Sequence, residues 1–125
     1  MSQSNQLNAV TLIAGSAVSI YRYLAVAADG KVDHAGAAGV VHGMSGDSAD
    51  ADRDALTVVL PMGIMKMEAG AAVTRGAQQA SDSTGRTVDH SNGAGNYITG
   101  VALDAAAGAG EIIRVLMGVH QDGLT

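Results

Sequence analysis

Aliphatic and β-branched residues come in short runs along this chain, and the stretches between them are rich in Gly, Ala and Asp. The clearest case is Tyr97 to Met117. Ile98 to Leu103 is apolar apart from Thr99 and Gly100, Asp104 to Gly110 is small and turn-prone, and Glu111 to Met117 returns as a β-branched run, so the stretch predicts two strands and a turn. Nearer the start, Val10 to Ile13 predicts a short strand. Leu24, Val26 and Ala28 share one face of the next, and Asp29-Gly30 signals a two-residue hairpin before Lys31 to His34. Val40 to Met44 predicts a further strand. Thr57 to Met67 is apolar on both alternating faces, with Pro61 barring a central ladder position. It predicts either two short strands with a break or an edge strand covered by a neighbour.

The pattern occurs twice. Val41 to Ala49 aligns with Ile98 to Ala106, and Thr57 to Leu60 aligns with the returning strand. Ala14 to Ser19 matches Ala69 to Thr74 at an offset of 55 residues, as do Gly30-Lys31 with Gly85-Arg86 and Met62-Gly63 with Met117-Gly118. Val32-Asp33-His34 matches Val88-Asp89-His90 at 56, and Gly43 matches Gly100 at 57. A tandem duplication follows, with its gaps in loops. Two copies are too few for a solenoid. The expected fold is mainly β with little helix, a small β-sandwich or partly open β-barrel built from two tandem pseudo-repeats. Its expected parts are a flexible N-terminal arm over 1–9, one β domain over 10–118 divided at about 63/64, and a C-terminal tail over 119–125. In the first copy Met44-Ser45-Gly46 stands where the second has Val101-Ala102-Leu103, and the aspartates after it predict a lengthened turn where the repetition breaks.

Composition then limits how such a fold is held. The 125 residues contain no Phe, Trp or Cys and only three Tyr, and the 47% hydrophobic content leans on Ala and Val. A chain of this length buries roughly two-thirds of its unfolded surface. Burying a Val, Leu or Ile is worth about 1.5–3 kcal/mol and an Ala much less, so an isolated subunit is expected to be weakly stable and to gain from oligomerisation or docking. The absence of Cys excludes a disulfide framework and thiolate metal sites. Met1 to Asn5 lacks the basic start and apolar stretch of a signal peptide, and no run approaches the length of a membrane helix. A net charge of −5 with seven scattered basic residues argues against a nucleic-acid surface. The expectation is a soluble, mildly acidic protein.

Candidate chemistry is sparse. The repeated Asp33-His34 and Asp89-His90 come nearest to a catalytic constellation, but neighbours on a strand point to opposite faces, so neither pair orients its own His. A metal site needs the pseudo-symmetry to bring both pairs together, and polar ends of duplicated hairpins is the simpler account. His42 and His120 have no motif, and no Gly-x-Ser-x-Gly elbow is present. Asp50, Asp52 and Asp54 have the first spacings of a calcium loop, but Ala55 stands where Gly is needed and Pro61 where Glu is needed. Gly108-Ala109-Gly110 fails as a phosphate cradle because Ile113 occupies the third glycine position. No catalytic residue, metal ligand or cofactor is assigned, and the chain is not expected to be an enzyme.

The order Ala-Gly-x-Ala-Val-(Ser/Thr), a Gly-(Lys/Arg) turn, and then Gly100 to Leu116 resembles the small capsid cement, or head decoration, proteins of tailed bacteriophages, over nearly the whole chain from Val10 to Met117. The resemblance implies a β-rich protein of the virion, made in the host cytoplasm, that binds the major capsid protein on the outer surface of the assembled head and stabilises it. It also implies a homo-oligomer, a trimer in preference to a dimer. A loose arm adding a strand to the capsid protein would use Leu7, Val10 and Leu12. The apolar block Met62, Ile64, Met65 and Met67 either completes the core between the lobes or forms the contact between subunits, where Met adapts to irregular surfaces. From another class, a small β-barrel module binding carbohydrate is the alternative, weakened by an aromatic content of 2%.

Overall fold

The computed structural model describes residues 8–91 and 95–121. Ten strands form in chain order: β1 (Ala9–Ile13), β2 (Tyr23–Val26), β3 (Val32–His34), β4 (Gly43–Ser45), β5 (Ala55–Val59), β6 (Ile64–Glu68), β7 (Gln78–Ser81), β8 (Thr87–Asp89), β9 (Tyr97–Ala102) and β10 (Ile112–Gln121). Among the described residues there is no helix. The strands make two five-stranded antiparallel sheets with the orders β1-β5-β4-β2-β3 and β6-β10-β9-β7-β8. Renumbering the second set from one reproduces the first, so the chain folds as two copies of one lobe. Neither sheet closes into a barrel, and the two lobes pack as a small β-sandwich. In each lobe the first residue after the opening edge strand makes one parallel bridge to the opposite edge, Ala14 to Val32 and Ala69 to Thr87.

The ladders correct three details of the predicted repeat. Leu24 pairs with His34 and Gln79 with Asp89, and Val26 pairs with Val32 as Ser81 does with Thr87. These pairs hold the offset at 55, so the counterpart of His34 is Asp89 and the matching Val-Asp-His strings are out of register by one. Met44 pairs with Val59 and Val101 with Leu116, an offset of 57 that also displaces the proposed match of Met62-Gly63 with Met117-Gly118. The two extra residues therefore lie between β8 and β9 in the second lobe. The Asp-rich stretch of the first lobe is no insertion: β4 ends at Ser45 and β5 starts at Ala55, and β9 and β10 stand at Ala102 and Ile112, the same spacing. The Asp29-Gly30 hairpin forms, but with three loop residues. Ala27 N donates to the Lys31 carbonyl and Gly30 N to the Ala27 carbonyl. Only Gly30 has a positive φ, 82°, whereas a two-residue type I′ turn needs it at both central positions.

Strand β10 is long because it serves two neighbours. Ile112 to Leu116 pair with β6 and Val115 to Gln121 with β9, and a register shift between Met117 and His120 interrupts the β9 ladder. It thus runs to Gln121, past the boundary at 118 read from the sequence.

Each lobe closes over a core of small parts. Ala14, Val18, Leu24, Val32, Ala49, Leu56 and Val58 fill the first. Met67, Ala69, Val73, Ala102, Ala106, Ile113 and Val115 fill the second, and Tyr23, Ala35, Val41 and Met44 of the first lobe pack into that same cluster. Strand β2 therefore buries both faces, Leu24 inward and Tyr23 across the lobe boundary. The Tyr23 hydroxyl donates to Thr87 Oγ1 at 2.9 Å and accepts from Thr99 Oγ1 at 2.8 Å. Thr87 Oγ1 donates in turn to Gln79 Oε1 at 2.8 Å, and Gln79 Nε2 donates to Asp89 Oδ1 at 2.8 Å. Burial pushes the Tyr23 hydroxyl up to about 12, against the pull of its bonds to Thr87 and Thr99. Around it, Tyr23 N donates to the Gly85 carbonyl, Glu68 N to the Tyr21 carbonyl and Ala38 N to the Ser81 carbonyl. Arg22 reaches the Thr84 carbonyl at 2.9 Å and Glu68 at 3.2 Å.

Backbones approach closely at one pair of equivalent glycines. A Cβ at Gly43 would stand 2.6 Å from Val58 Cγ1, and one at Gly100 would collide with the Leu116 carbonyl oxygen. Gly100→Ala should therefore force β9 from β10 and lower stability by about 1–3 kcal/mol, whereas Gly108→Ala, facing open space, should change it by less than about 0.5 kcal/mol. Urea denaturation of the two variants checks the contrast. Tyr23→Phe should cost about 1–3 kcal/mol, because it strips the buried Thr99 hydroxyl of its acceptor and Thr87 of its donor. Since the folded state holds the Tyr23 proton more tightly than the unfolded state, its contribution is complete below pH 10 and is lost as pH rises towards 12. Denaturation series across that interval should show a smaller decline in Tyr23→Phe than in the parent.

Candidate docking surfaces

The groups that looked most chemical are used inside the fold. Asp33 accepts from Ser16 Oγ at 2.6 Å, and His34 Nε2 accepts from Ser19 N at 3.2 Å. In the second lobe Asp89 accepts from Thr74 N at 3.2 Å, the position equivalent to Ser19. Asp33, His34 and Asp89 thus hold the irregular segments that cap each core. In the Asp-rich stretch, Asp47 accepts from Thr57 N and Oγ1, Asp54 from the main-chain N–H groups of Asp50 and Ala51, and Asp52 pairs with Lys31 at 2.9 Å. Among the described residues no three His, Cys, Asp or Glu are grouped as metal ligands.

The Asp47 arrangement recurs in the second lobe, where Asp104 accepts from Arg114 N and pairs with its guanidinium at 2.9 Å. Those bonds hold the Asp104 carboxyl down at about 2. Glu111 accepts from Gly108 N at 2.8 Å, so Gly108 to Gly110 is a turn tied to its own strand. A cleft of about 300 Å³ lies between the lobes, with Ala37, Ala38, Ser81, Asp82, Val88 and His90 in its walls. No tyrosine lines it, so it lacks the flat face on which a sugar ring would stack.

What the fold leaves open is sheet edge and sheet face. Each of the four edges is bonded at one point from within: Gly15, just after β1, gives its N–H to the Val32 carbonyl of β3, Gly70, just after β6, gives its N–H to the Thr87 carbonyl of β8, and β6 gives Glu68 N to Tyr21. On β1 the open stretch lies before the bridge of Ala14 to Val32. Bonds from Leu60 N to Asn8 and from Ala14 N to Asp54 fix the alternation, so the main-chain groups of Thr11 and Ile13 point away from β5. That bridge engages the Ile13 carbonyl, so of the two only Thr11 lies clear of it. The side chains alternate the other way. Val10 and Leu12, expected to touch a capsid, are half-buried against the first core, while Thr11 and Ile13 are exposed. Leu7 lies outside the described residues.

The outer face of β6 and β10 is the second open surface. Ile64 pairs with Leu116, and they are 57% and 47% exposed, with Ile112 on the same face and Met62 exposed beside it. Of the four residues expected in a subunit contact, Met67 is fully buried in the core and has no surface to offer, and Met65 is half-buried against it. Sequence reasoning missed Ile13, Ile112 and Leu116. The signal was present, since Ile113 and Val115 as core residues oblige Ile112, Arg114 and Leu116 to face outward. In the first lobe the positions of Ile64, Ile112 and Leu116 hold Ala9, Ala55 and Val59, so the apolar face belongs to the second lobe alone.

No family model and no curated protein sequence matches the chain. Among solved structures, the crystal structure of the head fiber gp8.5 N base of bacteriophage phi29 superposes with a TM-score of 0.73 at 19% identity, covering 88% of this chain and 92% of that one. At that identity the likeness is one of fold, and it meets the resemblance to phage head proteins read from the sequence. The chain carries the fold of a bacteriophage head-fiber base.

Proposed function

We propose that the protein is a phage head decoration protein that binds the outer surface of the assembled capsid, through the major capsid protein, and stabilises it without enzymatic activity. The observation that carries this is the extended likeness to a head-fiber base, which spans nearly the whole of both chains. Two features of the molecule support it. His34, His42 and most of the Asp groups with chemical promise are engaged in holding main-chain groups or neighbouring side chains. The core is built almost entirely from Ala, Val and a few larger aliphatics, so any partner that binds only the folded form adds materially to its stability.

Two surfaces divide the work in this proposal. The edge of β1 around Thr11, ahead of the bridge of Ala14 to Val32, takes an extended strand of the capsid protein, with the exposed Thr11 and Ile13 as contacting side chains. The apolar face of Ile64, Leu116 and Ile112, with Met62, joins subunits into a homotrimer. A trimer on a symmetric shell gains avidity, because the second and third contacts form at high effective concentration.

Mixing the protein with expanded empty heads should give co-sedimentation that saturates at a symmetry-related stoichiometry, and absence of binding to any head would overturn the proposal. Ile13→Asp should weaken that binding while the protein stays folded. Ile64→Asp combined with Leu116→Asp should reduce the mass measured by sedimentation to the 12.5 kDa monomer with the fold retained. An oligomer that survives both substitutions rules out this face as the subunit contact.

A further inference from the structure

The duplication places two different acceptors at one structural position. In the second lobe the N–H of Thr74 is held by the Asp89 carboxylate, and in the first the N–H of Ser19 is held by the imidazole Nε2 of His34. The bond requires the neutral tautomer of His34 with its proton on Nδ1. A second proton makes Nε2 a donor facing a donor, and the bond is lost. Carboxylates as a class titrate well below imidazoles, so mild acid distinguishes the two.

The consequence reaches beyond one loop because of where Ser19 lies. Its carbonyl accepts from Ser45 Oγ at 2.7 Å, and two residues on, the Tyr21 carbonyl accepts from Glu68 N in the second lobe. Tyr21 is held there at a φ of 64°, a conformation costly for a residue with a Cβ, where the equivalent Gly76 has 85°. The turn at Gly85 of the second lobe packs against the Cβ of His34 itself. His34 therefore sits at the meeting point of the capping segment, β2 and the partner lobe. Arg22, Asp33, Glu68 and Asp82 are the charged groups around it. Burial and then Arg22 hold the imidazole below its ordinary value, outweighing the three carboxylates.

We propose that His34 is an acid-sensitive latch at the lobe boundary: protonation releases the Ser19 to Tyr21 segment, while the equivalent Asp89 latch of the second lobe holds. The first lobe opens first as pH falls, and the strained corner at Tyr21 with its bond to Glu68 opens with it. This does not rest on capsid binding. The sign follows from linkage. A His whose folded value is depressed contributes stability that is present above the unfolded value near 6.5 and is lost as pH falls through the folded one.

Amide hydrogen exchange tests it with an internal control. Between pH 7 and pH 5, after correction for intrinsic rates, the protection of the Ser19 amide should fall about five- to tenfold relative to that of Thr74, the loss expected for one hydrogen bond. His34→Asn, which places a non-titrating acceptor with the reach of Asp89, should keep the ratio constant. His42 Nδ1 also accepts a main-chain bond, from Val26 N, and is untouched by that variant. A Ser19 to Thr74 ratio unchanged between the two pH values overturns the proposal, as does a ratio that falls equally in His34→Asn. Should the variant not fold, the wild-type ratio alone decides.

Discussion

Tyr23 is the largest side chain that crosses from the first lobe to the core of the second, and the arrangement of the two lobes depends on it. A ring of that size brings more apolar area into the second core than any residue the second lobe supplies. Its hydroxyl has to be satisfied there, and it is, by Thr87 and Thr99. Those threonines are tied onward through Gln79 to Asp89, so the buried polar chain runs from the lobe boundary to the segment capping the second core. Removing any member strands a buried donor or acceptor. The network therefore specifies one relative placement of the lobes, which a plain apolar contact between two Ala-rich surfaces would not do.

The contact is also asymmetric, although the lobes are copies. The position of Tyr23 is Gln78 in the second lobe, and the positions of Gln79, Thr87 and Thr99 are Leu24, Val32 and His42 in the first. One copy has kept a closed aliphatic core and presents an aromatic. The other has opened a polar slot to receive it. The same divergence appears at the surface, where the second lobe exposes Ile64, Ile112 and Leu116 and the first exposes a strand edge. Duplication supplied the frame, and differences at equivalent positions give the two lobes different surfaces.

That division is what the proposed decoration role would use. Small cores of Ala and Val leave little margin for an isolated chain. Surfaces that gain from being covered, a β edge in one lobe and an apolar face in the other, lie where the fold itself has no use for them. The cleft between the lobes is lined by Ser81, Asp82, Asp89 and His90 beside small apolar residues, and Asp82 and Asp89 are engaged in bonds that hold turns and strand ends.

The β class, the duplication, the hairpin at Asp29-Gly30 and the phage-head resemblance were legible in the sequence. Period-two alternation, turn residues and a repeat at nearly constant spacing are local or one-dimensional signals, and they survive without knowledge of neighbours. The inward faces of β9 and β10 could be read in the same way. The register of the repeat could not. The strings at Val32 and Val88 match by identity, but hydrogen-bonded pairing makes Asp89 the counterpart of His34, because backbone geometry sets equivalence and side-chain names do not. The fate of Met62 to Met67 was also undecidable locally. A strand apolar on both faces wants two covers, and only the packed lobes show that Met67 receives one while Ile64 remains outside. Tyr23 is the plainest instance. As one of three tyrosines in an aromatic-poor chain it carried no signal, and its role arises from threonines 64 and 76 residues away. Contacts at such separations are settled by how two finished lobes fit together, which no stretch of sequence contains.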